Sequence, residues 1–291
     1  MSQDELLCGC EAFAAVTERA ALAGARWLGR GDVRGAEESS STAMRDALDA
    51  LVITGRIVVG GEDEGGPLAI GETLGRGGPE VDLAVDPLEG RSVVARGDYG
   101  AMAMIAVGEN IRAIAEAFGR RPEDITAIVL DRPRHHDLIE EIRAAGARIK
   151  LIQDGDVTAS ITAAIRGTND HLAIGIGGAR QAVVSAAALR CLGGELQAQL
   201  WPTTRGEIEQ AKEFGIEDVY RVFATGELAP GELVVAATGV TNGDLLRGVR
   251  YLADSARTHS IVMCTRHNWV RFIDGIHFFA RERREEVRLL G

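Results

Sequence analysis

The chain has 291 residues, of which 46% are hydrophobic and 26% are charged. These are the proportions of a globular protein with a sizeable core. The formal net charge of −11 argues against nucleic acid or an anionic membrane as the main partner. The sequence contains no apolar run of about 18 residues and no signal-peptide pattern, so it predicts a cytoplasmic protein without a membrane span.

The first third of the chain is predicted to mix helices and strands. An apolar stripe predicts a helix over about 4–29. A second stripe, through Met44, Leu48 and Leu51, follows a cluster of possible N-caps at 39–42. Three apolar runs are predicted strands, at 56–60, 81–85 and 101–107.

Beyond residue 110 the pattern becomes a regular alternation of strand and helix. The predicted strands lie at 126–130, 148–152 and 171–177, and the predicted helices at 111–119, 138–146, 157–165 and 182–192. Such alternation is typical of βαβ units with a largely parallel sheet. A helix at 207–214 and strands at 233–238, 260–265 and 269–279 follow. The change of pattern predicts an N-terminal α+β subdomain at 1–110 and a C-terminal α/β subdomain at 111–291, within one compact unit.

Four cysteines are present, and two of them, Cys8 and Cys10, form a C-x-C pair. A metal site built on this pair would need two more ligands, and none is evident nearby in the sequence. We therefore expect reduced thiols.

Two acidic segments each follow a predicted strand. One is GGEDEGG at 60–66, which contains Glu62 and Asp63, and the other is DPLEG, which contains Asp86 and Glu89. Carboxylates from two strand-end loops suit Mg²⁺ or Mn²⁺. Either segment alone is more often a solvated turn, and only the pair indicates a metal site.

Three further loops carry residues suited to a phosphorylated ligand. Arg132 and Arg134 flank a proline and could grip a phosphate, although a surface turn with salt bridges has the same composition. The neighbouring His135 and His136 are interpreted as loop or helix-start residues. In DGD at 154–156, Asp154 could accept hydrogen bonds from sugar hydroxyls and Asp156 could be an N-cap. The glycine-rich turn at 175–178 could place a helix N-terminus against an anion.

Taken in order, these motifs resemble the class II fructose-1,6-bisphosphatases, including the dual fructose/sedoheptulose bisphosphatases of photosynthetic bacteria. The resemblance covers nearly the whole chain. The motifs that carry it are GRGD at 29–32, VVGGEDEGGPLAIGE at 58–72, VDLAVDPLEG at 81–90, RPRHHD at 132–137, DGDVTAS at 154–160, GIGGA at 175–179 and ATGVTNGDLL at 237–246.

The resemblance implies a layered α-β-α-β-α sandwich of the lithium-sensitive phosphatase superfamily, with a mixed sheet in the N-terminal part and a largely parallel sheet in the C-terminal part. It also implies a homodimer or homotetramer and hydrolysis of a phosphorylated sugar by a water activated by Mg²⁺ or Mn²⁺. The metal ligands carried over by position are Glu37, Glu62, Asp86 and Glu89. The catalytic positions are Asp63, Asp86, Glu89 and Arg91. The substrate-binding positions are Glu89, Gly90, Arg91, Arg132, Arg134, Asp154, Asp156, Gly178 and Arg180.

Several of these positions depart from the family pattern. Arg91 stands where the family has a threonine that positions the attacking water, and Gln181 stands where it has a glutamate ligand, with Arg180 beside it. Val33 replaces a lysine and Glu37 replaces an aspartate ligand. After Gly108 the chain also lacks a long family segment. A fixed guanidinium repels a nearby divalent cation, so Arg91 and Arg180 could take over part of the charge compensation for phosphate with fewer metal ions.

Three functions are compatible with these departures. The first is a sugar or cyclitol phosphatase, which the intact DPLEG motif favours. The second is another reaction on a sugar phosphate, and the third is a non-catalytic sugar-phosphate-binding protein. Arg91 and Gln181 favour the second and third.

Overall fold

The computed structural model describes residues 10–60, 66–89, 108–165, 167–202 and 204–279. The helices are α1 (Cys10–Ala25), α2 (Val33–Asp49), α3 (Gly108–Ala117), α4 (His136–Ala144), α5 (Asp156–Ala164), α6 (Ala179–Leu192), α7 (Arg205–Glu213) and α8 (Thr225–Leu228). The strands are β1 (Thr54–Val59), β2 (Thr73–Leu74), β3 (Glu80–Ala84), β4 (Thr126–Leu130), β5 (Arg148–Ile152), β6 (Leu172–Ala173), β7 (Gln197–Gln199), β8 (Val222–Ala224), β9 (Val234–Thr238), β10 (Arg250–Tyr251), β11 (Ser255–Cys264) and β12 (Trp269–Phe278).

The N-terminal sheet is mixed, as predicted. Its central strand β1 pairs antiparallel with β2 and parallel with β3. One face of this sheet packs against α1 and α2, and Ile57 and Leu48 are among the fully buried side chains between them. The predicted strand at 101–107 and the first residues of the helix predicted at 4–29 lie outside the described residues.

Helix α2 begins earlier than the sequence suggested. Asp32 is its N-cap, and the Asp32 side chain accepts a hydrogen bond of 2.9 Å from the Gly35 N–H. The prediction of an N-cap at 39–42 is therefore wrong. The first half of α2 buries small residues, Ala36, Ser40 and Ser41, and these contribute little to an apolar stripe.

The strands at 126–173 form a parallel sheet, as the βαβ alternation predicted. Strand β4 lies between β5 and β6 and is parallel to both. Helices α3 and α4 cover one face through a cluster that includes Ile125, Val129 and Ile142. The strand predicted at 171–177 is limited to two residues, because the glycine-rich segment after it runs into α6.

The last strands form an antiparallel sheet, and the prediction of a largely parallel C-terminal sheet is wrong for them. Strand β11 pairs antiparallel with both β9 and β12, and β10 lies at its edge. No crossover helix separates β11 from β12, which form a hairpin in which Cys264 faces Trp269 across the turn. Antiparallel pairing follows from this short connection.

Strand β11 of this antiparallel sheet is buried on both faces. Ile261 and Met263 of β11 pack with α5 and α6, whereas Val262 and Cys264 pack with α1. Successive side chains of a strand point to opposite faces, so one strand serves two cores. None of the described helices is both long enough and apolar enough to cross a membrane.

Because Ile261 is fully buried in the core between β11 and α6, truncation there leaves a cavity. We expect Ile261→Ala to lower the free energy of unfolding by about 2–5 kcal/mol, measured by urea denaturation. The matched control is Val270→Ala on β12, where Val270 is 39% exposed and its truncation should cost less than about 1 kcal/mol. Equal losses for the two variants would contradict this assignment of the core.

Candidate active site

The loops that follow the parallel strands meet at one edge of their sheet. Parallel strands place their carboxyl ends together, and ligands commonly bind there. Here the loops after β4, β5 and β6 surround a cavity of about 280 Å³. Its lining residues are Leu130, Arg132, Arg134, Asp154, Asp156, Ile176, Gly177, Gly178 and Gln181. Five positions predicted to bind substrate are therefore brought together: Arg132, Arg134, Asp154, Asp156 and Gly178.

Both arginines of the RPR loop are oriented by backbone carbonyls. Arg132 donates hydrogen bonds to the carbonyl oxygens of Asp131, at 3.1 Å, and of Gln153. Arg134 Nε donates to the Ile176 carbonyl oxygen at 3.0 Å. A guanidinium has five N–H groups, more than these contacts use. The loops after β5 and β6 thus fix the two cations while leaving donors for an anion.

His135, which directly follows Arg134, is a buried residue that connects two loops of the site, a role that the sequence did not predict. Its Nε2 accepts a hydrogen bond of 2.8 Å from the Ile176 N–H, and its Nδ1 lies 2.9 Å from the Leu130 carbonyl oxygen. These partners require a neutral ring with the proton on Nδ1. Burial, together with the charges of Arg134 and Arg132, holds the pKa of His135 below its ordinary value. The ring joins the RPR loop to the glycine-rich turn.

The DPLE turn reaches this region through Glu89. The Glu89 carboxylate accepts a hydrogen bond of 2.5 Å from the Val157 N–H in the first turn of α5. The N-cap of α5 is Gly155, with φ of 103° and no side chain to cap the helix. Asp156 is the first helical residue, so its predicted role as N-cap is wrong. Glu89, 68 positions earlier in the chain, satisfies the helix terminus instead.

The carboxylates around α5 repel one another. Burial, and then the charges of Asp86, Asp156 and Asp154, raise the pKa of Glu89 well above its ordinary value. Burial and the charges of Asp154 and Asp86 also raise the pKa of Asp156 to about 7, against the opposing effect of Arg134 and Arg132. The charged forms of these two carboxylates are therefore disfavoured, and a nearby divalent cation would favour them.

The donor set fits a hard divalent cation held by few protein ligands. Asp86 and Glu89 line a second cavity, of about 770 Å³. The amide of Gln181, the neutral residue at an expected ligand position, points Nε2 to Asp86 Oδ2 at 3.4 Å. Carboxylate oxygens suit Mg²⁺ or Mn²⁺. No three of the described carboxylates place ligand oxygens within 4.8 Å of one another, so the described residues supply a sparse site.

The remaining predicted site residues have different outcomes. Glu37 lies on α2 next to Ala36, which packs against Leu88 of the DPLE turn. Arg180 donates a hydrogen bond to the Gly60 carbonyl oxygen and does not line the 280 Å³ cavity. It thereby joins the start of α6 to the chain that leaves β1. The other predicted positions, Glu62, Asp63, Gly90 and Arg91, lie outside the described residues.

Paired guanidiniums and clustered carboxylates thus line neighbouring cavities at the start of α5. Comparison with known proteins identifies the family. The family model for bacterial fructose-1,6-bisphosphatase, glpX-encoded, matches residues 10–110 and 106–277. The chain belongs to this family.

Named relatives agree with this placement. The D-fructose 1,6-bisphosphatase class 2/sedoheptulose 1,7-bisphosphatase of Synechococcus sp. (strain JA-3-3Ab) is 40% identical, over 90% of this chain and 93% of its own length. The protein of the same name from Microcystis aeruginosa (strain NIES-843 / IAM M-2473) is 37% identical, over 94% and 97%. None of these names describes a different reaction or a non-catalytic role.

The comparisons also bear on the segment expected to be missing after Gly108. The two matched stretches of the family model meet at residues 106–110. The alignment with the Synechococcus protein spans 323 positions, whereas the chain has 291 residues. The relative therefore carries at least 32 positions without a counterpart here, because 323 minus 291 is 32.

Replacing His135 with alanine tests whether its two hydrogen bonds stabilise the contact between the RPR loop and the glycine-rich turn. We expect His135→Ala to lower the free energy of unfolding by about 1–3 kcal/mol, because it leaves the partly buried Ile176 N–H without its partner and removes one of the two donors to the Leu130 carbonyl oxygen. The folded-state pKa of His135 lies below the unfolded value, so its contribution is complete above about pH 6.5 and declines as the pH falls below that.

The measurement is urea denaturation between pH 5 and pH 8. His136→Ala is the matched control, because His136 is the exposed neighbouring histidine. Below pH 6.5, the free energy of unfolding of His135→Ala should decline less steeply than that of the unmodified protein. If the stability of His135→Ala and that of the unmodified protein depend on pH in the same way, the fold does not favour the neutral form of His135.

Proposed function

We propose that the protein hydrolyses a phosphate ester of a phosphorylated sugar such as fructose 1,6-bisphosphate or sedoheptulose 1,7-bisphosphate. The observation that carries the proposal is the junction of two groups of residues. Glu89 connects the DPLE turn to α5, and the cavity beside α5 is lined by Arg132 and Arg134. The two arginines and the carboxylates of the DPLE turn thus lie close to the same helix N-terminus, that of α5.

The phosphate is proposed to sit between the two arginines and the start of α6. Gly178 is the N-cap of α6 and has no side chain with which to cap it, so the first N–H groups of this 14-residue helix face the cavity side of the glycine-rich turn. Helix N-termini and guanidiniums both favour phosphate oxygens. Asp154 and Asp156 then lie where they can accept hydrogen bonds from sugar hydroxyls.

The metal is proposed to be Mg²⁺ or Mn²⁺, held by Asp86 and Glu89, with Glu37 and Glu62 as further ligands. When bound, it would supply the Lewis acidity that makes water nucleophilic. Asp63 is proposed to accept a proton from this water. Gln181 beside Asp86 reduces the carboxylate count by one, and Arg180 and Arg91 add positive charge for the phosphate. These residue differences from the family fit a site that holds fewer metal ions than the family pattern implies.

The same proposal covers the architecture and assembly that the family resemblance implies. A layered α-β-α-β-α sandwich is supported by helices packed on both faces of the antiparallel sheet. A subdomain boundary near residue 110 is supported by the separate cores of the first and second sheets. A homodimer or homotetramer is supported by exposed apolar residues on β12, where Phe272 and Phe278 are each 52% exposed.

Phosphate release from the two bisphosphates, with Mg²⁺ or Mn²⁺ added, tests the activity. We expect turnover to require the metal and Asp86→Asn to reduce kcat by more than about 100-fold, a larger loss than outer-shell partners of a metal cause. The matched control is Asp82→Asn, an exposed aspartate on β3, which should retain activity.

Two outcomes would contradict the proposal. Release of phosphate from neither sugar, although one of them raises the melting temperature, would identify a binding protein and not a phosphatase. Equal activity of Asp86→Asn and the unmodified protein would show that the active site lies elsewhere.

A substitution at Arg134 tests whether the arginines of the RPR loop bind the phosphate. We expect Arg134→Gln to lower kcat/KM by about 10- to 100-fold, because a charge-assisted hydrogen bond contributes about 1.5–3 kcal/mol. Arg143→Gln on the exposed side of α4 is the control. Inorganic phosphate should inhibit the control as it inhibits the unmodified protein, and should inhibit Arg134→Gln more weakly. Unchanged inhibition by phosphate would show that the phosphate binds elsewhere.

A further inference from the structure

A second group of possible metal ligands lies where α1 meets the β11–β12 hairpin. Cys10 is the first residue of α1, Cys264 is the last of β11, and His267 lies in the turn that follows. One ligand atom from each of the three residues lies within 4.8 Å of the other two. Cys10 and Cys264 are 4% and 1% exposed. The sulfurs therefore meet inside the protein and not on its surface.

The spacing of these atoms fits a tetrahedral zinc ion. Zinc binds sulfur at about 2.3 Å and imidazole nitrogen at about 2.0–2.1 Å, which places the two ligand atoms about 3.6 Å apart. Cys264 Sγ lies 3.4 Å from His267 Nδ1. Cys264 and His267 are separated by two residues at the tight turn between β11 and β12, where Asn268 has a positive φ of 47°. The turn thus folds the imidazole back over the sulfur.

The environment of His267 gives an independent reason to expect a ligand. Its Nε2 is buried without a hydrogen-bond partner among the described residues, and its Nδ1 faces a sulfur, which is a weak partner. Trp269 stacks on the ring, with centroids 6.0 Å apart and an angle of 19°. The ring therefore has few polar partners. A metal ion bound to Nδ1 would replace the weak contact with sulfur by a coordinate bond, and the ring proton would then lie on Nε2.

An ion pair lies beside the cluster. Glu11, which follows Cys10 in α1, pairs with Arg271 of β12 at 2.7 Å, and the Arg271 guanidinium lies 4.3 Å from the centroid of the Trp269 ring. These contacts connect α1 to β12 next to the three possible ligands.

We propose that Cys10, Cys264 and His267 bind a thiophilic divalent cation, Zn²⁺, which fastens the start of α1 to the β11–β12 hairpin. Binding forms two zinc–sulfur bonds and one zinc–nitrogen bond and releases the two thiol protons to solvent. This sulfur–nitrogen site is chemically distinct from the carboxylate site at the DPLE turn.

Cys10 is disulfide-bonded in this structure, which corrects the expectation that all four cysteines are reduced. Cys264 is present as a thiol. A sulfur in a disulfide is not a thiolate and does not ligate zinc, so the disulfide and the metal exclude each other. The metal-binding form is therefore the reduced protein. Reduction by a phosphine, which is itself oxidised to the phosphine oxide with oxygen from water, converts the disulfide to two thiols.

The test is a zinc titration of the full chain after phosphine reduction and removal of metal, in competition with a chromophoric chelator. We expect one tightly bound zinc per chain, and at least a 10-fold weaker affinity for Cys264→Ser and for His267→Ala. Cys191→Ser is the matched control: Cys191 is also buried, but burial raises the pKa of its thiol to about 11 and it lies outside the cluster. This variant should bind zinc as the unmodified protein does.

Zinc should also raise the melting temperature of the reduced protein and leave that of His267→Ala unchanged. His267 lies in a partly exposed turn, so this variant remains informative if Cys264→Ser fails to fold. Equal zinc affinity of the reduced protein and His267→Ala would overturn the proposal, as would equal affinity of the reduced and oxidised proteins. The titration uses no substrate, so its outcome is separate from that of the phosphatase assay.

Discussion

The hydrogen bond from the Val157 N–H to the Glu89 carboxylate is the contact on which the candidate active site depends. It joins the turn after β3, in the first sheet, to the helix after β5, in the parallel sheet. Gly155 permits it, because a left-handed N-cap without a side chain leaves the first turn of α5 open to an acceptor from elsewhere. The two halves of the site are thus aligned by a requirement of helix geometry.

That alignment concentrates charge. Burial, and then the charges of neighbouring carboxylates, raise the pKa of Glu89 and Asp156, although Arg132 and Arg134 lie beside Asp156. A folded protein tolerates such repulsion at a functional site more often than elsewhere. A divalent cation on one side and a phosphate dianion on the other would balance both signs of charge. The site therefore suits the two ligands together better than either ligand alone.

The sequence predicted local elements better than their assembly. Strands β4 and β5 coincide with their predicted ranges, because each is a short apolar run between polar turns. The antiparallel sheet was not predicted, because an apolar strand does not by itself specify a partner direction. The sequence could not predict that Glu89 caps α5 either. Asp156 is a residue type that favours the N-cap, and only the fold brings a carboxylate from 68 positions away to this helix.

His135 and the cysteine cluster fail to be predicted for a related reason. In the sequence, His135 is one of two adjacent histidines, and nothing local shows that one is buried while its neighbour is exposed. Cys10 and Cys264 are 254 positions apart, as 264 minus 10 gives, so a search for nearby ligands finds none. A long separation is also where a crosslink constrains the unfolded chain most. Helix α1 packs on β11 and on α2, and Ala36 of α2 packs against Leu88 of the DPLE turn. Packed side chains of two helices thus connect the cysteine cluster with the DPLE turn.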